Sequence, residues 1–223
     1  MSQYAARTGG GPGAEDGLRR WIAPGRTALV IVDMQTDFAL PDGAMGRAGA
    51  DLSATPAALA AAQRLADAAR AAGVPVVFVG LMTAPEDDST AWAERMRRLG
   101  ADPDAALALC RAGTLGATFV GPIPLVGEPV VAKLRYSGFF RTDLDAQLQR
   151  LGVDTLVIAG LTTECCVDCT ARDAFHLDYH VFVAGDACAA YEADVHAAAL
   201  KALALHCAIV VAADAVVAAW AGG

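Results

Sequence analysis

The sequence predicts an α/β fold, a three-layer α/β/α sandwich around a six-stranded, mainly parallel sheet. Three observations predict it. Runs rich in Val, Ile and Leu recur at residues 28–33, 74–80, 129–133, 154–160, 180–184 and 207–212. Most are continuously apolar, as strands buried on both faces are, rather than alternating. Segments long enough for a crossover helix separate them, and repeated strand–helix alternation is the mark of a parallel sheet.

Each element has a local reason. Residues 1–20 read as a flexible arm, Gly-rich and without the apolar core of a secretory signal. Residues 21–223 read as a single domain, because no repeat, linker or composition break follows. Thr55 and Pro56 supply a cap and a first-turn proline, and Gly73 ends that helix. Between them Leu59, Ala62, Leu65, Ala69 and Ala72 form its apolar stripe. Residues 85–126 read as Gly- and Pro-rich loop holding one helix at 92–99. Thr142 is the expected cap of a helix carrying Leu144, Leu148 and Leu151 and closed by Gly152. Residues 166–177 and 193–205 complete the helices.

Composition narrows the function. With 223 residues the chain can bury a sizeable core. No apolar run reaches the ~18–20 residues of a membrane span. A net charge of −8 argues against nucleic acid or an anionic membrane as partner. Six cysteines without an export signal suggest reduced thiols and a cytoplasmic setting. At 55% hydrophobic and 19% charged residues, little polar material remains to cover the surface, so a homodimer or homotetramer is expected.

Ligands of open α/β sheets bind at the carboxyl ends of the strands. Asp33, Lys133 and the turn before Cys166 fall at three such ends. Separately they read as a turn residue, a surface charge and a small core residue. Together they read as chemistry. A cysteine at a helix start is offered N–H groups and a dipole that favour a thiolate or an oxyanion. A carboxylate can take its proton, and a cation offsets the burial of that carboxylate.

Asp33-Met34-Gln35-x-Asp37-Phe38, Lys133 ahead of Tyr136-Ser137-Gly138-Phe139, and the G-x-x-T-x-x-C-V-x-x-T-A-R-D-A run from Gly160 to Ala174 together resemble the isochorismatase-like cysteine hydrolases. That superfamily includes nicotinamidases, N-carbamoylsarcosine amidase and ureidoacrylate-type amidohydrolases. The resemblance spans roughly residues 26–213 and implies sheet order 3-2-1-4-5-6. It implies Cys166 as nucleophile, Asp33 as general base and then acid, and Lys133 as the residue supporting both. It further implies an oxyanion hole from the Thr162 and Cys166 N–H groups, with a cis peptide at Leu161–Thr162. Phe38 matches a pocket-wall aromatic. Leu161, Trp92, Arg135, Tyr136 and Phe139 are further candidates for the substrate pocket, with core packing an equal reading for the aromatics. Arg135 reads either as a carboxylate ligand or as a solvated surface charge.

The implied reaction is cleavage of a C–N bond in a small amide, ureido or N-carbamoyl substrate through a thioester-type intermediate. Relatives that hydrolyse the isochorismate vinyl ether do without the cysteine. Nicotinamidases carry an Asp and His metal cluster between the first two catalytic segments, but no histidine lies between residues 34 and 133. No metal or other cofactor is therefore expected. The other readings are a nicotinamidase-like carboxamidase, a lactam or amide hydrolase acting on a natural product, and a non-catalytic homologue. A C-x-x-C redox role for Cys166 and Cys169 leaves Asp33 and Lys133 unexplained, and structural zinc lacks a second cysteine pair. Cys165 reads as core filling, the four histidines as surface or capping residues, and Arg172 with Asp173 as an ion pair or capping contact.

Overall fold

The strands are β1 (Thr27–Val32), β2 (Val76–Leu81), β3 (Val130–Lys133), β4 (Thr155–Leu161), β5 (His180–Ala189) and β6 (Ile209–Val211). In this computed structural model, which describes residues 14–222, they form one sheet in the order β3-β2-β1-β4-β5-β6. Every neighbouring pair is parallel. The expected order holds, and the sheet is wholly rather than mainly parallel.

Burial follows position in the sheet. β1, β2 and β4 are buried along their whole length, which is why their sequences are unbroken apolar runs. At one edge β3 alternates, turning Val131 and Lys133 inward. At the other edge β6 is short and half exposed. β5 runs past its expected end at residue 184. After a register shift between Ile158 and Gly160, its second half still pairs Cys188 with Gly160 and Ala189 with Leu161.

The helices are α1 (Ala14–Trp21), α2 (Thr36–Ala39), α3 (Ala44–Arg47), α4 (Thr55–Ala71), α5 (Thr90–Arg98), α6 (Pro103–Leu107), α7 (Leu144–Arg150), α8 (Asp168–His176), α9 (Ala193–His206) and α10 (Ala213–Ala221). One face of the sheet buries Leu29, Ile31 and Phe78 against Leu18 of α1, Leu65 of α4 and Val216 of α10. The other buries Val30, Val32 and Ile158 against Leu148 of α7, Ala171 of α8 and Leu203 of α9.

Several boundaries differ from expectation. The arm expected over 1–20 lies outside the described residues as far as residue 13. From Ala14 the chain is helical, anchored where Leu18 and Ile22 are buried and Trp220 Nε1 donates to the Ile22 carbonyl (2.9 Å). Ala54, not Thr55, holds the N-cap position of α4, and Thr55 is buried in its first turn. Asp143 holds the N-cap position of α7, while Thr142 Oγ1 accepts from the Leu144 N–H at 3.3 Å. The expected helix at 92–99 is α5, and its N-cap Ser89 accepts from the Trp92 N–H.

Two backbone features bring the strand ends close. Gly160 has φ +152, and a Cβ there would lie 2.2 Å from the Val32 carbonyl oxygen, so only glycine lets β4 run this close to β1. Asp33, one residue beyond β1, has φ +50, a left-handed conformation that aspartate tolerates better than most residues.

Candidate active site

Asp33 leaves β1 with both its backbone and its carboxylate tied to β2. Its N–H donates to the Val79 carbonyl (2.8 Å), and Oδ1 accepts from the Leu81 N–H (2.9 Å). Gln35 secures the same point. Its Oε1 also accepts from the Leu81 N–H, and its Nε2 donates to the Leu81 and Ala117 carbonyls. Asp37 fastens the next turn, accepting from the N–H groups of Ala44 and Cys110. A Cβ on Gly116 would lie 2.3 Å from that carboxylate, so the loop after α6 closes tightly over it.

Lys133 ends β3, beyond β2 from Asp33. Strands lie about 4.8 Å apart, so roughly 10 Å separate β3 from β1. Its long side chain turns inward across the strand ends. Nζ lies 2.7 Å from Asp33 Oδ2 and donates to the Arg135 carbonyl (3.0 Å) and Cys166 Sγ (3.4 Å). Lysine and aspartate are both fully shielded from solvent. The contact between them is ionic by distance but lacks hydrogen-bond alignment, so Oδ2 is left without a proper donor. Burial pulls the Lys133 pKa down, but Asp33 and Cys166 outweigh it and the net shift is upward.

Cys166 lies in a π-helical turn, Thr163–Val167, between β4 and α8, and not in the first turn of an α-helix. Single π turns are frequent at functional sites. Thr170 locks this turn to the loop after Lys133. Its Oγ1 donates to the Cys166 carbonyl (2.7 Å) and accepts from the Gly138 N–H (2.9 Å). The peptide bond at Leu161–Thr162 is cis, as the resemblance implied. Among the described residues the Thr162 N–H has no acceptor within the protein.

The expected thiolate at a helix dipole is corrected. The neighbouring Cys165 thiol, burial and the charge of Asp33 all push the Cys166 pKa well up, against the opposing pull of Lys133. A buried sulfur beside a carboxylate rests as the thiol and needs a base. Cys165 is half-buried against the second core, so core filling describes it in part, but its thiol also meets that of Cys166.

The candidate pocket residues separate. Trp92, Arg135 and Tyr136 line one cleft of about 240 Å³ with Ser89, Ala91 and Arg95. Phe38 packs between the first core and the small cluster of Leu81, Cys110 and Ala117. Leu161 is a correction: its side chain is 1% exposed and belongs to the core, because β4 is buried on both faces. Phe139 is another. Its ring lies 5.9 Å from that of Tyr179 and packs on the second core. Arg172 pairs with Asp168 one turn earlier (2.7 Å) rather than with Asp173.

Sequence reasoning gave no part to Thr170, Glu164, Tyr191 or His196. Glu164 Oε1 accepts from Thr162 Oγ1 at 2.8 Å. The Tyr191 pKa is raised by burial and then by Glu164, Cys166 and Asp33, and its phenol donates to the Phe38 carbonyl (3.0 Å). His196 Nδ1 bonds Thr163 Oγ1 at 2.8 Å. Thr170 was visible as a motif letter. Tyr191 and His196 carry no local signal, since they arrive from beyond β5.

The Isochorismatase domain family matches residues 27–215. The chain belongs to the isochorismatase family. It is 37% identical to the ureidoacrylate amidohydrolase RutB of Methylobacterium radiotolerans over 175 residues, 74% of this chain and 68% of that protein. Among solved structures it is similar to a cysteine hydrolase from Pseudomonas syringae pv. phaseolicola. The TM-score is 0.72 at 31% identity, covering 91% of this chain and 95% of that one. The N-carbamoylsarcosine amidase of Thermoplasma acidophilum gives a TM-score of 0.66 at 29% identity, covering 85% and 97%. This isochorismatase-family chain is an enzyme, a hydrolase of carbon–nitrogen bonds other than peptide bonds.

Proposed function

We propose that this chain is a cysteine-dependent amidohydrolase of a small amide, ureido or N-carbamoyl substrate, working through a covalent thioester-type intermediate. One observation carries the reading. The buried Oδ2 of Asp33 is the only oxygen of that carboxylate without a hydrogen-bond donor, and it faces Lys133, which in turn reaches Cys166. Oδ1 is held by the Leu81 N–H, so Oδ2 is the oxygen left to accept a proton.

In the first half-reaction Asp33 takes the Cys166 proton and the thiolate attacks the substrate's amide or carbamoyl carbon. Lys133 stays charged and offsets the negative charge as it moves from carboxylate to sulfur. The Thr162 and Cys166 N–H groups hold the oxyanion. The tetrahedral intermediate collapses, the C–N bond breaks, and protonated Asp33 gives its proton to the leaving nitrogen. In the second half Asp33 deprotonates water, hydroxide attacks the thioester carbon, and the proton returns to the departing sulfur. Ureido and N-carbamoyl acids lead the substrate classes because the amidohydrolase RutB and N-carbamoylsarcosine amidase stand among the similar proteins.

Ammonia release across a panel of ureido acids, N-carbamoyl amino acids and simple carboxamides tests the reading. Turnover that survives complete alkylation of Cys166 overturns it. Dialysis against a chelator should leave the rate unchanged. Among the described residues no group of three His, Cys, Asp or Glu side chains is placed to hold a metal, and activity restored only by an added divalent cation contradicts this.

We also propose that residues 21–223 act as one hydrolase domain in a homodimer or homotetramer. Leu115, Ile123, Leu125 and Val126 are exposed close together in sequence, apolar surface that a second copy could cover. Light scattering should give a particle of at least twice 22.8 kDa, and a single-chain mass refutes the proposal. Among the described residues no helix is long and apolar enough to cross a membrane. The six cysteines are free thiols, which supports a reducing, cytoplasmic setting.

A further inference from the structure

Beside the buried Asp33, Lys133 and Cys166 lies a cleft whose electrostatics that machinery does not use. It is bounded by α5 and by the loop that follows Lys133, and Arg95 and Arg135 both line it. Half of the fourteen described arginines are paired with an acid. Among the described residues seven arginines lie within 4.0 Å of a carboxylate, but neither Arg95 nor Arg135 does. Glu94 is held by Arg97 (3.5 Å) and Arg98 (2.9 Å), and Asp88 is held by both guanidinium nitrogens of Arg111. Arg135 makes one hydrogen bond, from Nη1 to the Leu134 carbonyl, which leaves most of its donor fork free. In a chain of net charge −8, two unneutralised guanidinium groups on one small cleft call for an anion.

Shape and connection agree. Trp92 and Tyr136 meet edge to face across the cleft, with ring centroids 5.9 Å apart at 67°, and offer a wall for a flat group. The cleft joins the reactive centre through a single residue. The Arg135 backbone carbonyl accepts from Lys133 Nζ (3.0 Å) while its side chain lines the cleft. A volume of about 240 Å³ suits a small acid and not a drug-sized natural product.

We propose that this cleft anchors a carboxylate of the substrate on Arg95 and Arg135, with the flat body of the molecule against Trp92 and Tyr136 and its carbonyl carbon presented to Cys166. The substrate class is thereby narrowed to amides or ureas that carry a free carboxylate. The inference rests on the amidohydrolase reading for its catalytic half, but the anion site stands on its own geometry.

The test compares 3-ureidopropionate with its methyl ester, which lacks the charge to be recognised and adds one methyl group. Wild-type enzyme should favour the acid in kcat/KM. In Arg95→Gln/Arg135→Gln that preference should fall about tenfold or more, the scale of a lost charged hydrogen bond. A preference unchanged in the double variant overturns the inference. Calorimetry on Cys166→Ala protein separates the two readings. If wild-type protein hydrolyses neither compound but Cys166→Ala protein binds the acid, and loses it when both arginines are replaced, the anion site stands and the amidohydrolase reading falls. If both compounds are hydrolysed without charge preference, the amidohydrolase reading stands and the anion site falls.

Discussion

Cys166→Ala is expected to lower turnover by about three orders of magnitude or more, because in the proposed mechanism Cys166 forms the covalent bond and no other group replaces it. Cys165→Ala and Cys169→Ala should retain most of the activity. Of the six cysteines only Cys166 receives the Lys133 ammonium, at 3.4 Å, and its carbonyl is the one that Thr170, itself bonded to the loop after that lysine, holds. Cys165→Ala also removes the neighbouring thiol that helps hold the Cys166 pKa up, so the pH at which Cys166 is alkylated should move down in that variant. The measurement is ammonia release with each variant, beside iodoacetamide labelling read peptide by peptide. Loss of activity through labelling at any other cysteine, with Cys166 unmodified, contradicts the assignment.

Lys133→Met should cost both activity and stability. It leaves the Asp33 carboxylate fully buried, held at Oδ1 by the Leu81 N–H but facing no cation at Oδ2. Breaking a buried pair from one side costs about 3–5 kcal/mol. In a chain of this length that is a fall in Tm of about 6–20 °C. Asp33→Asn/Lys133→Met, which removes both charges, should recover much of the Tm and none of the turnover. The Lys133 pKa is raised above its ordinary 10.5, so its stabilising share is complete below that value and fades only as pH climbs through the folded value. The difference in stability between wild type and Lys133→Met should thus be constant between about pH 7 and pH 9. A Lys133→Met protein that melts with wild type would show that the pair carries no net stability.

Where the two levels of description part is clearest at Lys133. On the sequence it is a lysine ending a strand, and a solvated surface charge is the ordinary fate of such a residue. In the fold it is 1% exposed, because β3 is an edge strand whose inward positions are Val131 and Lys133. Leu161 moved the opposite way, from pocket candidate to core. Its neighbours in sequence are candidate site residues, but a strand buried on both faces has no free face to offer.

The sequence by itself determined the layered α/β architecture, because strands buried on both faces must be apolar without interruption. It placed Asp33, Lys133 and Cys166 at strand ends, and the structure brings their side chains together. Tertiary structure decided which oxygen of Asp33 stays free, the protonation state in which Cys166 rests, and the neighbours that complete the site. Those depend on the Leu81 N–H and Thr170 arriving from separate elements and on how deeply the fold buries Cys166 beside Asp33. Desolvation and hydrogen-bond alignment are properties of distances across the fold. No local run of residues encodes them, whereas the period of burial along a strand is written in the run itself.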